Sequence, residues 1–294
     1  MTTKATTRFR RLVQVPEILQ LPCVHDALAA VIAEQAGFQA VCVGGYGASA
    51  SLLGKPDVNL LSMTEMADHV ARIADAVSIP VFADADTGHG NTTNVARTVR
   101  RFEKAGAAGL FMEDQVSPKR CGHMTGKDVI PRQEMLAKIH AALDARQDQD
   151  FVIMGRTDAI AVHGLDEAIA RANLMREAGA DLLFVEAPES IETMQRIRAE
   201  VDGPLFTAFV EGGCIPPVPA QQLESMGYAI VAYACSGLYA AAHAMRETFR
   251  HIRATGSSNG LERQMIPFGP FNDLLGLPEI RAAEARFAAT TPKG

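Results

Sequence analysis

The chain has 294 residues, 48% of them hydrophobic and 21% charged, with a formal net charge of −6. That length supports one large domain or two small ones. The acidic balance, with no long basic run, argues against a nucleic-acid surface, and no apolar segment is long enough to span a bilayer. Five scattered cysteines, at no metal-site or disulfide spacing, suit a reducing compartment, read here as cytoplasmic.

The first residues hold Thr, Arg and Lys with no acid before Glu17. They lack the apolar core of a signal peptide and only vaguely resemble a transit peptide. Short apolar runs then alternate with helical patterns. The runs fall at 21–24, 40–43, 81–83, 109–112, 151–154, 182–185, 205–209 and 230–233. Most are continuous rather than alternating, as in parallel strands buried on both faces. Helical patterns between them include 94–104, 133–146 and 165–177, and Gly37, Gly106 and Gly179 suit helix C-caps. Eight such units in about 250 residues predict an α/β fold, a closed (β/α)8 TIM-type barrel. The alternative, an open doubly wound sheet, would want fewer strands and a Gly-rich phosphate loop, and no G-x-G-x-x-G follows a strand. A long insertion, 44–63, follows the second strand, and a final helix is expected at 278–288. We read residues 1–294 as a single barrel domain with 258–294 as a helical extension.

Active sites of such barrels lie at the C-terminal ends of the strands. That rule gathers Asp26, Gly44, Gly45, Tyr46, Asp84, Asp86, Glu113, Arg156, Asp158, Glu186 and Glu211 at one mouth. Any one carboxylate alone reads more readily as a helix N-cap. Asp84, Asp86 and Glu113 together read as ligands of a hard divalent cation, because clustered oxygen donors need a cation or a proton between them. A polar loop then presents Lys119, Arg120, Cys121, Gly122 and His123. A thiol in that company is a candidate acid or nucleophile, and Gly122 and Gly126 give the loop the freedom of a lid. Cys23, Cys42 and Cys235 read as buried small hydrophobes, and His89 and His163 as surface or outer groups.

The motifs DADTGHG, EDQVSPKRCGH, GRTDA and FVEAP resemble, in combination, the isocitrate lyase/phosphoenolpyruvate mutase superfamily over nearly the whole chain. KRCGH is similar to the loop of its carbon–carbon lyase branch, which includes 2-methylisocitrate, 2,3-dimethylmalate and petal-death-type lyases. Carboxyphosphonoenolpyruvate mutases also carry that loop. The resemblance implies Mg²⁺, with Mn²⁺ as a substitute, held by Asp84, Asp86 and Glu113, with Asp57 reaching it through water. It implies Cys121 as catalytic acid, with Arg156 and Tyr46 beside it in catalysis. The implied substrate contacts are Gly44, Gly45, Tyr46, Lys119, Cys121, Gly122, His123, Arg156, Glu186 and Ala208. It further implies a homotetramer, with the C-terminal helix exchanged between subunits.

Three positions depart from the pattern. Gly44 stands where relatives have Ser or Thr, Ala208 where many have Asn, and Ile215 where Thr is common before Pro216. These positions usually help to hold a substrate carboxylate. The expected reaction is cleavage of a 2-hydroxy di- or tricarboxylate into pyruvate or another 2-oxo acid plus a carboxylate. The general base stays open between Tyr46 and a metal-held group. A phosphonomutase, an oxaloacetate-type hydrolase and a non-catalytic metabolite-binding barrel are the alternatives.

Overall fold

The computed structural model describes residues 3–290. Eight strands form its sheet: β1 (Leu19–Pro22), β2 (Val41–Val43), β3 (Val81–Asp84), β4 (Gly109–Glu113), β5 (Val152–Thr157), β6 (Leu182–Val185), β7 (Leu205–Phe209) and β8 (Ile230–Tyr233). All neighbours pair in parallel, in the order β1-β8-β7-β6-β5-β4-β3-β2. A parallel bridge between Cys23 and Cys42 closes the ring, with Val24 N–H donating to the Cys42 carbonyl at 2.8 Å. The sequence places β1 two residues late, because Cys23 and Val24 remain extended but meet their partners in that bridge rather than in a ladder.

Both faces of each strand are apolar, for different reasons. Leu21, Cys42, Phe82, Phe111, Met154, Phe184, Phe206 and Ala232 fill the barrel interior. The residues between them, such as Val43, Ala83, Leu110, Met112, Ile153, Leu183, Val185 and Val231, pack beneath the helices. This is the alternation of a pleated strand with two buried sides. The helices start on local signals. Helix Met63–Ala76 has a capping box from Ser62 and Glu65, and helix Thr92–Lys104 has one from Asn91 and Asn94. Gly37, Gly106 and Gly179 take φ of 91°, 89° and 106° just past helix ends, where other residues would be strained. Part of the 44–63 insertion folds as helix Gly45–Leu53.

Helix Ala5–Gln14 crosses the N-terminal end of the barrel. Its Phe9 is fully buried and stacks on Phe82 with centroids 4.9 Å apart. Arg10 bonds Asp181 at 2.9 Å and the carbonyls of Asp150 and Phe151. The interior is therefore plugged at that end, and its open end is the one the strand C-termini face.

Among the described residues, those from 239 onward make a second compact unit. It holds the later part of helix Ser236–Thr255, then helices Phe268–Leu274 and Leu277–Thr290, the last of which covers the helix expected at 278–288. Within it Phe249, Phe268 and Phe287 are 64%, 88% and 63% exposed in the isolated chain. No helix among the described residues is long and apolar enough to cross a membrane.

Candidate active site

The strand ends build one side of the mouth from carboxylates. Asp84 closes β3, and its two oxygens accept from Gly45 N–H and Asp86 N–H, each at 2.9 Å. Those bonds fix it and turn the backbone so that Asp86 sits at φ 48°. That is a left-handed position which a non-glycine residue occupies at some cost, commonly at functional sites. Glu113 closes β4 at 1% exposure, and its Oε2 has no hydrogen-bond partner. Burial pushes the Asp86 carboxyl up to about 6, with Lys119 opposing and Asp84 adding. Burial likewise raises Glu113, against the pull of Arg156 and Lys119.

A buried ammonium lies among these groups. Lys119 Nζ is 2.8 and 2.7 Å from the two Asp57 oxygens and 2.7 Å from Asp86 Oδ1. The contact with Asp86 is a close ion pair, which also lowers the Asp86 carboxyl against the push of burial. Burial works against this ammonium, but Asp86, Asp84, Glu113 and Asp57 together hold it well above the usual lysine range. A Cβ on Gly45 would stand 3.2 Å from both Asp84 Oδ2 and Lys119 Nζ, so this position takes glycine with least disturbance.

Arg156, the next-to-last residue of β5, holds the centre. Its guanidinium meets Asp158 at 2.9 Å and Glu186 at 3.0 Å, and lies 3.9 Å from Glu113. Its Cζ stands 5.3 Å above the Phe184 ring. Lys127 reaches Asp158 from the loop at 2.9 Å. Behind this layer Asp114 accepts from Thr157 Oγ1 at 2.7 Å, from Asp158 N–H at 2.9 Å and from Arg171 at 3.0 Å.

The reactive loop, 115–129, folds over these groups. It is clasped at its base by Val116 N–H donating to the Asp128 carbonyl at 2.9 Å. Gln115 Nε2 donates to the Arg120 carbonyl at 2.9 Å and Arg120 N–H returns a bond at 3.0 Å. Cys121 N–H donates to the Asp57 carbonyl at 3.3 Å. Burial raises the Cys121 thiol, opposed by its bond to His123 and by Arg156, so it stays protonated at neutral pH. The cationic neighbours therefore do not make it a thiolate, and of the two expected roles the acid fits better. Gly122 touches the charge centre: a Cβ there would lie 2.4 Å from Glu186 Cδ and 2.5 Å from Arg156 Nη2. His123 Nε2 lies 3.9 Å from Glu186 Oε1.

The cavity below the loop is lined by Gly44, Gly45, Tyr46, Asp57, Asp84, Lys119, Cys121, Gly122, His123, Arg156, Glu186 and Ala208. Asp86 and Glu113 stand behind that lining, joined to it through Lys119 and Arg156. Apart from Glu186, which is paired with Arg156, the β6–β8 side is apolar: Phe184, Phe206, Ala208, Val210, Ala232 and Ala234. Cys23, Cys42 and Cys235 also line the cavity, which their apolar context in the sequence does not reveal. Three sequence candidates fall elsewhere. Asp26 is an N-cap, accepting from Ala29 N–H at 2.8 Å. Glu211 is exposed and accepts from Ser236. Ile215 is 4% exposed and packs in the outer core, so it cannot belong to a carboxylate pocket. His89, read as an outer group, is one: its Nε2 is 3.9 Å from Asp86 Oδ2, and burial drops its pKa to about 4.

The donor set suits a hard divalent cation. Glu113 Oε2 is a buried oxygen with no hydrogen-bond partner, and Asp57, Asp84 and Asp86 outnumber the one ammonium among them. Among the described residues, no three carboxylates, thiols or imidazoles converge closely enough to hold an ion by themselves. Mg²⁺ does not require that, since it commonly takes one or two carboxylates and keeps several waters.

Fold and site together define a barrel enzyme that works on a small carboxylate at the C-terminal mouth of its strands. The sequence matches the family described as phosphoenolpyruvate phosphomutase over residues 9–253, and the chain belongs to that family. It is 44% identical to 2,3-dimethylmalate lyase of Eubacterium barkeri over 96% of this chain and 97% of that one. It is 43% identical to the chloroplastic carboxyvinyl-carboxyphosphonate phosphorylmutase of Arabidopsis thaliana over 98% of this chain and 86% of that one. A crystal structure of 2,3-dimethylmalate lyase, a member of the phosphoenolpyruvate mutase/isocitrate lyase superfamily, superposes with a TM-score of 0.92 at 34% identity, covering 100% and 99% of the two chains.

Proposed function

We propose that the chain is a carbon–carbon lyase that cleaves an alkyl-substituted malate, such as 2,3-dimethylmalate, to pyruvate and a short carboxylate. The carrying observation is the place of Cys121, on a loop whose next residue, Gly122, touches Arg156 and Glu186, where burial raises the thiol. Cleaving C2–C3 leaves an electron pair on C3, and C3 must receive a proton. The thiol answers that need; mutases with the same loop exist, so the choice of the lyase rests on the likeness to 2,3-dimethylmalate lyase in sequence and structure.

Asp84, Asp86 and Glu113, with Asp57 through water, would hold the divalent cation, Mg²⁺ or Mn²⁺. When bound, it supplies Lewis-acid polarisation and a template for the 2-hydroxy acid. Arg156 and His123 face the place where charge grows on the departing carboxylate, and fixed donors there stabilise it. Cys121 gives its proton to C3 as general acid. Tyr46 lines the cavity from the first turn of helix Gly45–Leu53, and as phenolate it is one candidate to take the 2-hydroxyl proton, a metal-held group being the other. The loop excludes water, which protects the carbanionic fragment until it is protonated.

The apolar β6–β8 wall favours methyl groups over a further carboxylate, which would be buried without donors. Incubation with 2,3-dimethylmalate and Mg²⁺, with pyruvate and propanoate measured, tests the reading. Equimolar release that stops on chelation and returns with Mg²⁺ or Mn²⁺ is expected, and undiminished turnover after exhaustive chelation would overturn the metal role. For assembly we propose a homotetramer, supported by the exposed Phe249, Phe268 and Phe287 of the C-terminal unit. Light scattering that finds a monomer at micromolar concentration contradicts it. The free cysteines support a reducing compartment, the cytoplasm.

A further inference from the structure

The loop after β7 meets the reactive loop after β4 at His123. Cys214 N–H donates to His123 Nδ1 at 3.2 Å, and Cys214 Sγ lies 3.5 Å from the same nitrogen. Gly213 makes that approach: a Cβ there would stand 2.6 Å from Nδ1 and 2.9 Å from Cε1 of the ring. Real Cβ atoms do not come so close, so either the ring or the turn would have to move. On the far side of Cys121, the Asp57 carbonyl takes the other backbone anchor, at 3.3 Å. Lys119 and Lys127 anchor the same loop to Asp57, Asp86 and Asp158, and the His123 imidazole ties it to the loop after β7.

The bond also sets the state of that ring. A backbone N–H can only donate, so Nδ1 is the acceptor and the proton of the neutral imidazole sits on Nε2. Nε2 faces Glu186 Oε1 at 3.9 Å, on the cavity side. Burial first, and Arg156 and Lys127 after it, keep His123 below the usual histidine range in spite of Glu186 and Asp158. The neutral form is therefore the relevant one at pH 7.

We propose that Gly213 and the backbone N–H of Cys214 form a socket for His123, which holds the reactive loop closed and fixes the imidazole with its proton on Nε2. Gly213 is then a positioning residue for Cys121, acting through His123. The substitution-sensitive element is a missing side chain, so no search for polar residues would find it. The inference rests on the reading that Cys121 works from the closed loop, but closure can be measured without substrate.

The test is a double-mutant cycle read by alkylation. Wild type, Gly213→Ala, His123→Ala and the double variant are treated with iodoacetamide, and peptide mass spectrometry resolves Cys121 from Cys214. Loss of one seating hydrogen bond predicts about tenfold faster Cys121 alkylation in Gly213→Ala. In the His123→Ala background the ring is gone, so Gly213→Ala adds less than about twofold. Effects that multiply in the double variant, or unchanged Cys121 reactivity in Gly213→Ala, overturn the socket. If Gly213→Ala does not fold, nitrogen NMR of His123 in the wild-type enzyme decides. Protonation at Nε2 supports the proposal and protonation at Nδ1 refutes it. Failure of these readouts with intact lyase turnover would sink the socket alone, and a sound cycle without turnover would sink only the lyase.

Discussion

The two halves of the cavity wall are built from equivalent positions of the same barrel, yet they do different work. On the β3–β5 side, strand ends carry Asp84, Glu113 and Arg156, among close ion pairs of Arg156 with Asp158 and of Lys119 with Asp57 and Asp86. On the β6–β8 side the corresponding wall is Phe184, Phe206, Ala208, Ala232 and Ala234. A buried charge is tolerable only when paired, so the charged half must be a network and changes in it are costly. The apolar half needs only volume, and single substitutions there are cheap. Chemistry is thus concentrated where the wall is rigid, and choice of substrate where it is free to vary.

The strongest way to break this division is at Cys121, which hangs over the charged half. Cys121→Ser should lower kcat by about two to four orders of magnitude, the scale of lost acid–base catalysis, with product binding by calorimetry largely kept. Near-normal turnover would remove the thiol from the mechanism. Arg156→Met leaves Asp158, Glu186 and Glu113 facing one another without their shared cation. Stability measured by urea unfolding should fall by about 3–5 kcal/mol, as when a buried pair loses one partner. A fall below about 1 kcal/mol would mean that the network is slack.

The apolar half is tested by preference. The specificity constant for dimethylmalate should exceed that for methylisocitrate at least about tenfold, the cost of one unpaired bond to a charged group. A preference for the tricarboxylate would show that other residues hold its third arm. The smallest effect is the reverse experiment. Gly44→Ser with Ala208→Asn should raise tricarboxylate cleavage by about threefold to tenfold, by restoring one donor. A Cβ at Gly44 meets nothing within 4 Å, so the serine fits. No gain in kcat/KM would place these two positions away from the substrate.

The same division explains what could be read from the sequence. The barrel was legible because every strand is apolar on both faces and is followed by a charged or glycine-rich turn, as in ADADTGHG or FMEDQ. The charged half was legible because several carboxylates end neighbouring apolar runs, although any one of them, such as Asp26, can be a helix N-cap. The apolar half was not. Cys42 and Ala232 read as core, and whether an inward residue sits in the floor or the mouth depends on barrel stagger, which no local pattern records. Ile215 was misplaced for the converse reason: its motif suggests the cavity, but its side chain turns into the outer core. The place of Lys119 among Asp57, Asp84 and Asp86 depends on a loop seated from afar, and so does the Gly213 contact.

The plug at the other end of the barrel bears on how the chain is made. Helix Ala5–Gln14 precedes its partners in the chain: Arg10 needs Asp181, 171 residues further on, and Phe9 needs Phe82 to stack upon. Contacts so distant in sequence form late, because a long loop must close first. Until those partners are made and the barrel closes, helix Ala5–Gln14 is an amphipathic segment whose Phe9 and Val13 lack their cover. A segment that precedes its partners by so much of the chain is among the last to come to rest.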